Sequence, residues 1–209
     1  MLGANSKPLE QRLFGRPAAW LVKHHVRANT VTVAGVAVQC AVALTLFPLG
    51  YLWQGAVVLA AVVTTDALDG TMARLAGTAS KWGAFLDSTL DRLADAAIFA
   101  GLTVYLAREG HTAGVIAGVA ALAAGTVVPY TRARAEALGY QATVGIAERA
   151  DRLIVALVAA FLTGLGLSPL VLVVALGVLA AASLVTVGQR SWAVYTQARA
   201  EAQSQADEQ

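Results

Sequence analysis

Charge is what this 209-residue chain has least of: 13% of its residues are Asp, Glu, Lys or Arg, about half the share found in a soluble globular domain. So few charges cannot cover the surface of a water-soluble domain of this length. The single cysteine, Cys40, excludes an internal disulfide and any CxxC-type metal site. A formal net charge of +2 is too small to make nucleic acid the main partner. Disorder is excluded for the bulk of the chain, because 57% of it is hydrophobic. What these shortages leave is an integral membrane protein.

Six apolar stretches approach the roughly 20 residues that a helix needs to cross a bilayer. They cover about 31–49, 53–74, 82–107, 112–130, 153–167 and 169–187. None alternates apolar and polar residues as barrel strands do, and a helix satisfies its own backbone in lipid. The predicted fold is therefore all-α, an integral membrane bundle of six transmembrane helices. Lys and Arg sort to alternate connections. Lys7, Arg12, Arg16, Lys23 and Arg27 precede the first span, Arg74 and Lys81 follow the second, Arg132, Arg134, Arg149 and Arg152 separate the fourth from the fifth, and Arg190 and Arg199 follow the sixth. The intervening connections hold Arg108 alone. This pattern places both termini, and any site built at that end, on the cytoplasmic side of the cell membrane. A charged segment precedes the first apolar run, so no signal peptide is expected. That segment, residues 7–26, mixes Leu9, Leu13, Phe14, Trp20, Leu21 and Val22 with Lys and Arg. Its spacing predicts an amphipathic juxtamembrane helix on the inner leaflet, the alternative being a merely basic tail. With no fixed-period repeat, residues 1–209 read as one membrane domain, 1–28 being a cytoplasmic surface segment and 198–209 a solvated cytoplasmic tail.

Ionisable groups inside a span are expensive and mark function by default. Asp66 and Asp69 are three residues apart and share a helix face; Asp87 and Asp91 are four apart and share another, with Asp95 one turn further. The short polar connection between the two helices makes them antiparallel neighbours, so four carboxylates converge in one pocket. Carboxylates that close stay ionised when cations lie between them. An all-oxygen donor set without His or Cys favours Mg²⁺, or Mn²⁺, over zinc, and a pair of ions would clamp a phosphoryl or pyrophosphoryl group. The competing reading is a set of structural ion pairs with Arg74 and Arg92. Gly70, Ala73 and Gly83 are small where a bulky ligand would need to approach the backbone, although helix packing also uses small residues. Arg74 is placed to pair with a phosphate.

Written out, Asp66, Asp69, Gly70, Ala73, Arg74, Gly83, Asp87 and Asp91 form D-x2-D-G-x2-A-R-x8-G-x3-D-x3-D. This resembles, at all eight fixed positions, the signature of the CDP-alcohol phosphotransferases. The motif spans residues 66–91, and six spans with cytoplasmic termini and an amphipathic N-terminal segment also resemble that family. The resemblance implies transfer of a phosphatidyl group from CDP-diacylglycerol to an alcohol with release of CMP. It implies that Asp66, Asp69, Asp87 and Asp91 hold two divalent metals, Mg²⁺ with Mn²⁺ as the variant. It further implies that Asp91 is the catalytic general base, that Gly70, Ala73, Arg74 and Gly83 line the CDP-diacylglycerol site, and that the enzyme is a homodimer.

A second basic set lies outside the signature. Arg132, Arg152 and Arg190 come from three helix ends on the carboxylate side, and arginine suits bidentate phosphate recognition. Positive-inside bias alone would also put basic residues there. As a set they point to an acceptor that already carries a phosphate. The segments Thr131-Arg132-Ala133-Arg134-Ala135-Glu136, Gly145-Ile146-Ala147-Glu148-Arg149 and Arg152-Leu153-Ile154 resemble the actinobacterial phosphatidylinositol phosphate synthases, a branch of the family. That likeness implies inositol 1-phosphate as acceptor, held by Arg132, Arg152 and Arg190, with the roles of Arg134, Arg149 and Asp95 open. The alternatives are glycerol 3-phosphate as acceptor, which would make a phosphatidylglycerophosphate synthase; from other classes, a divalent-cation transporter or a structural lipid-binding protein.

Overall fold

The structure, a computed structural model, describes residues 19–24, 26–75, 77 and 80–207; for residues 64–71, 73–75 and 207 it describes the backbone alone. The described residues form six long helices and no strand: α1 (Ala28–Leu46), α2 (Leu52–Leu75), α3 (Lys81–Arg108), α4 (Thr112–Ala137), α5 (Arg149–Gly164) and α6 (Leu170–Asp207). The boundaries follow local chemistry. Ser80 caps α3 by accepting the Gly83 N–H at 3.0 Å, which satisfies one of the free donors of the first turn. At the other end of α3, Gly110 takes a φ of +76° while His111 N–H donates back to Leu106 O at 2.9 Å, the turn that a left-handed glycine permits.

Consecutive helices run up and down. The ends of α1, α3 and α5 meet the starts of α2, α4 and α6: Arg108 Nη1 donates to Pro48 O at 2.8 Å, and a Cβ on Gly164 would lie 2.3 Å from the Trp53 nitrogen. Among the described residues the helices close a ring. α1 packs between α2 and α3, α3 packs on α4, α4 along α6, α6 on α5, and α5 on α2. The ring is dry at one end, where Phe47, Leu52, Leu59, Ile98, Leu102, Leu106, Leu172 and Leu176 are buried together. Its outward faces stay apolar, with Val57, Val104, Ile116, Val158, Val174 and Val178 exposed, as lipid-facing surfaces are. Three of the described helices, Ala28–Leu46, Thr112–Ala137 and Leu170–Ala206, are long and apolar enough to cross a membrane. The protein is an all-helical membrane protein.

Three expectations change. α2 and α3 were expected to be direct antiparallel neighbours; among the described residues each packs chiefly on α1 instead. The reason is close approach: a Cβ on Gly101 of α3 would lie 2.1 Å from Ala43 O, so the α1 backbone seats directly on α3. The fourth helix continues to Ala137, past the expected end near residue 130. The sixth continues to Asp207, so residues 198–207, expected as a solvated tail, are helical, with 199–206 exposed. A hydropathy run marks where lipid ends, not where the helix ends, and Ala, Glu, Gln and Arg are good helix formers in water. The predicted amphipathic segment falls mostly outside the described residues; residues 19–23 are helical, with Trp20 exposed and its ring centroid 4.3 Å from that of His24.

Candidate functional site

The carboxylate stripe on α3 is graded in depth. Asp87 is exposed, Asp91 half-buried, and Asp95 buried at 5% exposure. One turn separates each from the next, so the helix carries its acidic edge from the surface into the ring. Asp66, Asp69, Gly70, Ala73 and Arg74 lie on the last turns of α2, where helical backbone is described and their side chains lie outside the described residues. Among the described residues no group of three or more His, Cys, Asp and Glu side chains is arranged as a metal site.

The start of α5 meets this stripe. A capping box sets it, in which Glu148 and Asp151 each accept from the other's backbone N–H, the Glu148 N–H donating to Asp151 at 3.3 Å. A fixed cap fixes the first helical turn, and that turn carries Arg149 and Arg152. Arg149 bridges Asp91 and Asp95, at 3.0 Å to each. Arg152, 2% exposed, pairs with Asp95 at 3.0 Å and donates its Nη1 to Gly125 O of α4. Two carboxylates thus face two guanidiniums, and the deep pair excludes water from both partners. Such a pair persists because either charge alone would be far costlier to bury. Arg92 reaches Asp91 only at 3.7 Å with both side chains part-exposed. A small cavity opens between α3 and α4 against Arg92, Asp95, Phe99, Ala121, Thr126 and Arg152. The buried Nε atoms of Arg92 and Arg152 have no hydrogen-bond partner among the described residues.

A second arginine cluster sits beside the first. Arg190 of α6, 4% exposed, donates Nε to Val144 O at 2.9 Å and Nη1 to Val128 O of α4. Arg132, Glu136 and Glu148 lie within electrostatic reach of it, whereas the charges around Arg152 are Asp95, Arg92 and Arg149. Arg132 is half-exposed and tied to Glu136 at 2.9 Å. The loop 138–148 is strapped across α6: Thr186 Oγ1 accepts the N–H groups of Ile146 and Ala147 at 3.2 and 3.1 Å, and Gln197 accepts from and donates to Gln141.

The three expected acceptor arginines therefore fall into two clusters, Arg132 with Arg190 and Arg152 with Arg149. Their anchors on α4, Val128 and Gly125, are about one turn apart. Gly83 is half-buried at the start of α3, and a Cβ there would sit 3.5 Å from Asn29 Oδ1 of α1. Sequence reading left Asp95 and Arg149 without roles and missed Gly125 and Thr186. Asp95 was visible as the third member of a four-residue repeat. Gly125 lies in a run of small residues, where nothing local distinguishes it from its neighbours.

A model of the CDP-alcohol phosphatidyltransferase family matches residues 25–179. The chain is 47% identical over 182 residues to the phosphatidylinositol phosphate synthase of Cutibacterium acnes, which covers 83% of this chain and 88% of that one. It superimposes with a TM-score of 0.85 and 38% identity on the crystal structure of the Mycobacterium tuberculosis phosphatidylinositol phosphate synthase with CDP-DAG bound, over 88% of this chain and 94% of that one. A second structure of the same M. tuberculosis enzyme, in complex with manganese and citrate, matches with a TM-score of 0.81 and 38% identity over 87% and 88%.

Proposed function

The chain belongs to the CDP-alcohol phosphatidyltransferase family, and from that premise we propose that it transfers the phosphatidyl group of CDP-diacylglycerol to inositol 1-phosphate, releasing CMP. The product is a phosphatidylinositol phosphate, and the reaction is a step of phospholipid synthesis. The observation that carries this reading is the meeting, at one end of the ring, of the α3 carboxylates with Arg149 and Arg152 of α5, beside a second cluster of Arg132 and Arg190 from α4 and α6. An acidic edge suits a metal-bound pyrophosphate, and arginines beside it suit a second phosphate.

The donor set fits a hard divalent cation. It consists of carboxylates alone, and Asp87 and Asp91 stand one turn apart at the exposed end of the stripe. We assign Asp66, Asp69, Asp87 and Asp91 to two ions, Mg²⁺ with Mn²⁺ as the alternative; bound there, they would neutralise the pyrophosphate and the departing CMP. Gly70, Ala73, Arg74 and Gly83 line the CDP-diacylglycerol site in this reading. Asp91 is the general base. It takes the proton of the attacking inositol hydroxyl as that oxygen bonds to the phosphorus bearing the diacylglycerol, and the bond from that phosphorus to the CMP oxygen breaks. CMP leaves with the electron pair. Arg149, bound to Asp91 and Asp95 at 3.0 Å each, holds the carboxylate in place. Arg132, Arg152 and Arg190 hold the acceptor's phosphate.

In this reading the whole chain is one membrane domain. All six helices cross the cell membrane, with both termini and the site on the cytoplasmic side, where the basic residues gather. An amphipathic segment within residues 1–28 lies on the inner leaflet, the end of α6 projects into the cytoplasm as the tail, and the protein is a homodimer. A transporter reading fits less well, since the far end of the ring is closed by Phe47, Leu52, Leu102, Leu106 and Leu172.

The test is CMP release by the purified protein with CDP-diacylglycerol, Mg²⁺ and each of inositol 1-phosphate, glycerol 3-phosphate and free inositol. Turnover is expected with inositol 1-phosphate alone. Preference for glycerol 3-phosphate would assign a phosphatidylglycerophosphate synthase, and no CMP release with any alcohol would overturn the reading.

A further inference from the structure

Pro129 stands inside α4, eight residues before its end. A proline has no N–H, so the carbonyl four residues earlier receives no helical hydrogen bond. That carbonyl belongs to Gly125. It is the group that accepts Nη1 of Arg152, so the acceptor left free by Pro129 is filled by the guanidinium from α5. Gly125 makes the approach possible: a Cβ there would lie 2.7 Å from Nη1 and 3.3 Å from Cζ of Arg152. Nη2 is held by Asp95 at 3.0 Å. With two of its three nitrogens fixed by groups on different helices, the guanidinium has one orientation, and Nε is left over beside the α3–α4 cavity.

We propose that Pro129 and Gly125 are positioning residues: together they present a helix carbonyl that orients Arg152 for the acceptor's phosphate. The inference rests on the acceptor site proposed above. A proline in mid-helix costs stability relative to alanine, so a position that serves only the fold gains by its replacement. A position that serves the site loses acceptor binding by the same replacement. In Pro129→Ala the new N–H claims Gly125 O, and Nη1 of Arg152 is released.

The experiment measures both Michaelis constants and the thermal unfolding midpoint in detergent for wild type, Pro129→Ala, Gly125→Ala and Arg152→Ala. For Pro129→Ala the expected result is an acceptor KM raised roughly tenfold, the loss of one charge-assisted hydrogen bond. Its KM for CDP-diacylglycerol should stay within about twofold, and its midpoint should be equal or higher. Gly125→Ala displaces a flexible guanidinium end rather than backbone, so the same split in KM is expected with the fold retained. An unchanged acceptor KM in Pro129→Ala and Gly125→Ala, where Arg152→Ala raises it, overturns the positioning role and leaves the acceptor site standing. Both constants rising together with a lowered midpoint also overturns it, because Pro129 then serves the fold. Unchanged acceptor kinetics in Arg152→Ala overturns the acceptor site and the positioning role with it.

Discussion

Asp91 and Asp95 are one turn apart on α3, share Arg149 at 3.0 Å, and differ in depth. Depth separates their expected mutant behaviour. Asp91 is half-buried, and Arg149 keeps Asp95 when Asp91 is altered. Asp91→Asn is therefore expected to unfold near the wild-type midpoint while turnover falls about 10²–10⁴-fold, the usual contribution of a general base. Near-normal turnover would remove Asp91 from the chemistry. Asp95→Ala strips Arg152, 2% exposed, of its only ion-pair partner among the described residues. Breaking a buried pair on one side costs about 3–5 kcal/mol, and for a chain of this size the midpoint should drop by about 6–20 °C. A drop of a degree or two would show that water reaches Arg152. Residue type and helix face are alike for these two aspartates; burial separates them.

At the scale of the element, the ring depends on places where one backbone touches another. Gly101 is the clearest, since any Cβ there would meet Ala43 O at 2.1 Å and the obstacle is main chain, which has no rotamer to escape into. Gly101→Ala is expected to push α1 from α3 and cost about 1–3 kcal/mol as an overpacked core does, read as a lowered unfolding midpoint. The control is Gly177→Ala on α6, part-buried but with nothing within 4 Å of the added Cβ; replacing a helical glycine by alanine where there is room should stabilise by about 0.5–1 kcal/mol. Equal effects at the two sites would mean that α1 does not seat on α3 as described.

For the molecule as a whole, the division into a dry end and a polar end governs what chelation and labelling should show. The dry end is held by buried Leu, Phe and Ile side chains and needs no ion. Removing divalent cations should abolish CMP release and leave the helical circular dichroism unchanged, with activity restored by Mg²⁺. Full activity with metals verifiably absent would end the proposal of a metal-bound pyrophosphate. The proposed sidedness is checked by cysteine labelling in a Cys40→Ser background. A cysteine at Arg199 should react with a membrane-impermeant reagent only after the membrane is opened, and one at Glu109 should react in intact cells. The reverse pattern would invert the topology.

The sequence alone determined what depends on local hydropathy and on residue type. The helices expected at 53–74 and 82–107 lie within one residue of α2 and α3 at each end, because runs of helix formers bounded by glycine-bearing connections are local features of the sequence. The carboxylate stripe was readable for the same reason: a period of four places charges on one face whatever surrounds the helix. The α3–α5 and α4–α5 pairings were decided by tertiary structure. Asp95 meets Arg152 across 57 positions and Gly125 meets it across 27, and no local pattern encodes contacts between helices so far apart in the chain. The insertion of α1 between α2 and α3 had the same origin, for it rests on a glycine of α3 fitting a carbonyl of α1. The sequence sorted most of the arginines to alternate connections, so helices running up and down bring them to one end of the molecule. The fold divided them into two clusters, because a guanidinium leaving water must find an acceptor or a carboxylate, and only the packed helices determine which ones lie within 3 Å.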